Sequence, residues 1–141
     1  MLIAIPLLII PVLIYNAVIL LSAAGDGGMA NADAILRDPM FSIPMASGAS
    51  WNVGVGDLIL LLALVLLFFE LLKSTSSQKV AIINHALSMV VFVGVLVEFL
   101  LIRGFATSTF FLIVVMILLD VLAGFIVTII SARKDLDFSG A

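Results

Sequence analysis

A chain of 141 residues with 65% hydrophobic residues, 11% charged residues, a mean hydropathy of +1.43 and a net charge of −3 lies outside the composition of water-soluble domains. The absence of cysteine excludes disulfides, thiolate nucleophiles and cysteine metal sites, and one histidine leaves no paired-histidine haem or zinc site within a chain. The acidic balance offers no basic patch for nucleic acid.

Four runs are apolar enough to cross a bilayer, which takes about 20 residues as a helix: residues 2–23, 57–73, 80–102 and 108–132. The expected fold is all-α, a single membrane domain over 1–141. Its four transmembrane helices form an antiparallel bundle, with a long extracytoplasmic loop over 25–56 between the first two.

The first run, MLIAIPLLIIPVLIYNAVILLSAAG, has no basic residue ahead of its apolar core, so a retained helix is expected rather than a cleaved signal. Pro6 and Pro11 each remove a backbone donor and should kink or loosen its first half. Asn16, beside Tyr15 just past the middle, is expected to hydrogen-bond across to another helix.

In the loop, Asn31 is a fair N-cap for a short helix through Leu36 that Pro39 stops by Asp38. Met40, Phe41, Ile43, Met45 and Trp51 are too apolar for a free linker. They are expected along the membrane surface, with Trp51 in the interfacial aromatic belt. Phe41, Met45 and Trp51 are the candidate extracytoplasmic docking residues.

Asp57 opens the second run, where its carboxylate can meet the free amides of the helix start. Glu70 lies one turn before Lys73, which predicts an i,i+3 ion pair with Lys73 snorkelling to the headgroups.

The polar turn KSTSSQK makes the second and third runs antiparallel and brings Glu70 level with Asn84 and His85. A Glu70 and His85 pair is geometrically open there, in competition with Lys73. Asn84, Ser88, Val91, Val95 and Glu98 fall on one face, and His85 points about 100° away from Asn84. Gly94 should allow a close helix approach near Glu98, which is near enough to the end to snorkel or to meet Arg103. A lone His85 reads as a structural residue, and no metal, cofactor or catalytic set is assigned.

The last run carries Asp120 at its centre, and a carboxylate at mid-bilayer costs at least about 2.5 kcal/mol unless it faces protein or water. It shares a stripe with Thr109, Gly124, Thr128 and Ser131. Its depth matches Ser88 to Val91, and also Tyr15 and Asn16 if all the runs are centred alike. Two states are economical: protonated and bonded to Asn16, Tyr15, Ser88 or another subunit, or ionised beside water. Either makes Asp120 a candidate proton carrier, with Glu98, His85, Glu70, Asn84 and Asn16 as the other polar candidates.

Lys73, Lys79, Arg133 and Lys134 fall on one side of such a bundle, against Arg37 and Arg103 on the other. The positive-inside rule then puts both termini in the cytoplasm, in a bacterial inner membrane. In size and span number the chain is similar to the small multidrug-resistance exporters, but its first run lacks the acid found in theirs. The expectation is no enzyme. It is instead a non-catalytic subunit or accessory of a larger membrane complex, with the bilayer and other subunits or further copies as partners. The alternative is a small oligomeric proton- or ion-coupled transporter or channel using Asp120 and Glu98.

Overall fold

The computed structural model describes residues 5–23, 29–74 and 78–139. The expected helix residues 2–4, the turn residues 75–77 and the side chains of Lys79, Ser131 and Lys134 lie outside the described residues.

The first helix, α1 (Ile9–Ala23), starts later than the apolar run suggests. Pro6 and Pro11 do not kink it; they set its beginning. Pro6 stands before the helix and its carbonyl accepts from Ile9 N–H at 3.3 Å. Pro11 occupies the first turn, where a missing N–H costs nothing because that donor has no partner within the helix. The late start also leaves Leu7 N–H free for a partner elsewhere.

A 3-10 turn (Met29–Asn31) leads into α2 (Ala32–Arg37). The short helix is where the sequence puts it, but the Asn31 side chain makes no cap bond. The chain then departs from an all-α fold. Strands β1 (Pro39–Pro44) and β2 (Ser50–Gly54) pair antiparallel, with Phe41 opposite Val53 and Ile43 opposite Trp51. The reason is visible in the residues: Phe-Ser-Ile and Trp-Asn-Val alternate with the period of a strand. Gly48 supplies the positive φ of 84° in the connecting turn.

Helix α3 (Val55–Ser74) follows β2 without a linker. Asp57 lies at its third position and reaches back to accept from Gly54 N–H at 2.9 Å, half of a capping box. Helix α4 (Gln78–Leu101) is joined through a 3-10 turn (Arg103–Phe105) to α5 (Ser108–Ser139). Thr107 caps α5, its hydroxyl accepting from Phe110 N–H at 3.2 Å. α5 runs past residue 132 because no glycine or proline interrupts the sequence between Gly124 and Gly140.

Among the described residues three helices are long and apolar enough to cross a membrane: Val55–Lys73, Ile82–Leu101 and Ser108–Ile130. With 15 residues, α1 covers only about 22 Å, short of a hydrocarbon core of about 30 Å.

The bundle is centred on α5, which packs against α3, α4 and α1. α3 and α4, though adjacent in sequence, share less with each other than either shares with α5. The inward stripes follow helical spacing: Val12, Tyr15 and Ile19 on α1, with Leu8 just before it, and Ile59, Ala63, Leu67 and Glu70 on α3. On α4 and α5 the same stripes carry Asn84, Ser88 and Val95, and Phe110, Ile113, Ile117 and Asp120. Polar side chains thus occupy core positions on three of these helices.

Candidate functional site

Glu70 is fully buried, at 0% exposure, near the end of α3. A charge so placed is tolerable only when paired and fully hydrogen-bonded. Among the described residues three groups meet it. Leu7 N–H donates to Oε2 at 2.7 Å, Asn84 Nδ2 donates to Oε1 at 2.5 Å, and Lys73 Nζ approaches Oε1 at 3.0 Å. Lys73 also donates to the Ile5 carbonyl at 2.7 Å, which ties the entry of α1 to the end of α3.

The expected Glu70 and Lys73 ion pair is therefore present, and the Glu70 and His85 pair is not. Neighbouring residues on a helix differ in direction by about 100°, so once Asn84 faces α3 its neighbour cannot. The His85 ring instead meets Phe125 edge-on at 5.0 Å. It also lies directly over Gly124 of α5, where any Cβ would overlap the ring.

One turn beyond Asn84, Ser88 Oγ donates to Asp120 Oδ2 at 2.6 Å, and Asp120 is 4% exposed. Depth-matching of the sequence placed Ser88 beside Asp120. It also placed Tyr15 and Asn16 there, and the structure does not. Because α1 begins only at Ile9, both residues lie closer to the α4–α5 turn. Asn16 Nδ2 donates to Glu98 Oε2 at 3.2 Å, so the cross-helix role expected of Asn16 is met with a different partner. Among the described residues no ion pair joins Glu98 to Arg103.

Tyr15 makes a junction that the sequence did not announce. Its hydroxyl donates to the Gly104 carbonyl at 3.1 Å and lies 2.5 Å from the Thr107 hydroxyl, which must then be the donor of the second bond. Phe105 and Phe110 enclose the ring at 5.4 Å and 4.7 Å between centroids. A tyrosine inside one apolar run, with phenylalanines at the end of a tight turn and just after it, is the signal that could have found it.

The polar groups therefore form separate clusters. Ser88 and Glu98 are ten positions apart on α4, about 15 Å at the rise of a helix. Between those levels Val12, Ala63, Val95, Ile113 and Ile117 are all buried. Asp120 and Glu98 are not brought together. Near Asp120, two buried atoms among the described residues have no hydrogen-bond partner, Asn84 Oδ1 and His85 Nδ1.

Gly94 does not act as expected: a Cβ there would meet nothing within 4 Å. Close approaches fall instead at Gly124, at Gly54 and Gly104, and at Gly56, whose Cβ would meet Thr109 Oγ1 at 2.8 Å. Thr128, expected on the packing stripe of α5, is exposed and bonds back to the Gly124 carbonyl at 2.9 Å. The docking candidates Phe41, Met45 and Trp51 are all exposed on the hairpin.

At the hairpin end of the bundle an open cleft of about 380 Å³ lies between α2, β2, α3 and α5, lined by Leu36, Asn52, Asp57, Ser108 and Thr109. Asp57 is already engaged with Gly54. Among the described residues no group of three histidine, aspartate or glutamate side chains is gathered as for a metal. Compared with protein-family models, curated proteins and solved structures, the chain matches none.

Proposed function

We propose that this chain is an integral membrane, non-catalytic subunit or accessory of a larger membrane complex, a helical scaffold whose outer faces meet lipid and other subunits. The observation that carries this reading is the partnering of its acids. Glu70, Glu98 and Asp120 each accept a hydrogen bond from a side chain on a different helix: Asn84, Asn16 and Ser88 respectively. Acids pinned in this way fix the register and rotation of helices and are occupied rather than poised for chemistry.

In this reading α1 crosses together with α3, α4 and α5, completing a four-helix bundle. Its start is level with Glu70 and its Tyr15 is level with Gly104, so it runs antiparallel to α3 through the same slab. Both termini face the cytoplasm of a bacterial cell, on the charge distribution of the loops. The apolar faces left uncovered on α3, α4 and α5, with Leu64, Phe68, Val90, Val93 and Ile126 among their exposed residues, suit lipid and partner helices alike.

Affinity purification in mild detergent tests it. A stoichiometric set of further membrane subunits is expected, and a protein that purifies alone or only with itself overturns the subunit assignment.

A second reading, an oligomeric proton- or ion-coupled transporter, is favoured by one observation. The unpartnered Asn84 Oδ1 and His85 Nδ1 lie within about a turn of the Ser88 and Asp120 pair, where water or a cation could join them. Proton flux in liposomes that Asp120→Asn abolishes would favour this reading over the first.

A further inference from the structure

The β1–β2 hairpin is two-faced. Directly opposed residues of an antiparallel pair share a face. Phe41 with Val53 and Ile43 with Trp51 form one side, and Ser42 with Asn52 and Pro44 with Ser50 form the other. The first is wholly apolar. On the second, Ser42 Oγ donates to Asn52 Oδ1 at 2.6 Å.

Val53, on the apolar side, is buried at the root of the hairpin where β2 meets α2 and α3. Beyond it the same side continues on residues that are exposed among the described residues: Trp51 is 53% exposed, and Phe41 and Ile43 are exposed with it. The apolar side that is covered at Val53 thus continues onto exposed residues beside the start of α3.

Two further features decide between lipid and a protein partner. From residue 39 to residue 56 there is no charged side chain, so a partner would find no ionic group there to select it. Pro39 and Pro44 remove backbone donors from β1, which discourages a partner from adding a strand at that edge. An uncharged segment with tryptophan and phenylalanine on one side and small polar groups on the other matches the headgroup boundary of a bilayer. The unpaired strand edges keep it out of the hydrocarbon, so it lies flat at that boundary.

We infer that the hairpin is an interfacial anchor. Its Phe41, Ile43 and Trp51 side seats on the bilayer surface beside the start of α3, while its Ser42 and Asn52 side faces water. β2 passes directly into α3 at Gly54 and Val55, so seating the hairpin fixes the depth at which α3 enters the membrane. The inference rests on the membrane reading and is independent of the subunit reading.

Trp51 is the sole tryptophan, so the full chain carries its own probe. In phosphatidylcholine vesicles brominated either near the headgroup or near the chain end, Trp51 emission should be quenched several-fold more by the shallow label, and little by aqueous iodide. In the Trp51→Phe, Asn52→Trp double variant the probe moves to the other side, and iodide should become the stronger quencher. Strong iodide quenching of Trp51 without bromine quenching overturns the anchor. So does equal bromine quenching at both positions, or shielding of Trp51 from both quenchers, which is the mark of cover by protein or a second copy. Resistance to alkaline carbonate extraction is measured on the same vesicles. A chain that washes off defeats the membrane reading itself, whereas one that stays while Trp51 meets iodide defeats only the anchor.

Discussion

The side-chain amide of Asn84 on α4 donates to the carboxylate of Glu70 on α3 at 2.5 Å, inside the bundle. The same carboxylate receives Lys73 from its own helix and Leu7 N–H from the entry to α1. One acid thus joins three segments of the chain, and its removal takes the acceptor from the Asn84 amide and from Leu7 N–H.

Replacing Glu70 should therefore be costly. Glu70→Leu is expected to destabilise the protein by about 3–5 kcal/mol, because it removes the carboxylate of the Lys73 ion pair and leaves a buried amide and a backbone donor without their acceptor. Combining it with Lys73→Met should recover part of that loss. Unfolding in mixed detergent and SDS, read as a double-mutant cycle, measures the recovery; strictly additive losses would mean that the pair does not interact.

Asp120 predicts a contrast between two substitutions. Asp120→Asn keeps an acceptor for Ser88 and should preserve folding and assembly. Asp120→Leu removes it and should cost about 1–2 kcal/mol, the upper range for an interhelical hydrogen bond in a membrane. Equal expression and equal oligomeric state for the two variants would argue against a buried polar contact at this position.

Glycines on adjacent helices should behave oppositely. Gly124→Ala drives a methyl into the His85 ring and is expected to destabilise the protein by about 1–3 kcal/mol, with His85→Ala relieving the clash. Gly94→Ala meets open space and should be neutral or stabilising by up to about 1 kcal/mol through helix propensity. Reversal of this order in thermal unfolding would place the α4–α5 contact elsewhere.

Tyr15 should matter through its hydroxyl as well as its ring. Tyr15→Phe takes the donor from the Gly104 carbonyl and the acceptor from the Thr107 hydroxyl and is expected to cost about 1–2 kcal/mol. Thr107→Val should cost a similar amount, since it also removes the cap of α5. A cycle on the two residues should show the losses to be less than additive.

Much of this architecture was legible in the residues. Apolar length marked α3, α4 and α5, periodicity put Asn84, Ser88 and Val95 on one inward face of α4, and hairpin depth put Ser88 beside Asp120. The β-hairpin was legible only in part: its alternation is that of strands, but its glycine, serine and proline content is that of a loop, and pairing decided between them. The prolines of α1 were read as kinks because their position relative to the helix start was unknown, and the same uncertainty moved Tyr15 and Asn16 to the wrong level.

What the sequence determined by itself is what covalent geometry and solvent transfer determine: which segments are apolar enough to leave water, and which residues of a helix share a face. Tertiary structure alone decided how each helix is rotated and shifted against the next. That choice placed Asn84 and not His85 against Glu70, and gave Asn16 to Glu98 and not to Asp120. The reason is physical. Rotation and shift are set by the joint fit of side chains from several helices, such as the His85 ring over Gly124 and Tyr15 between Phe105 and Phe110, and no single helix carries that information.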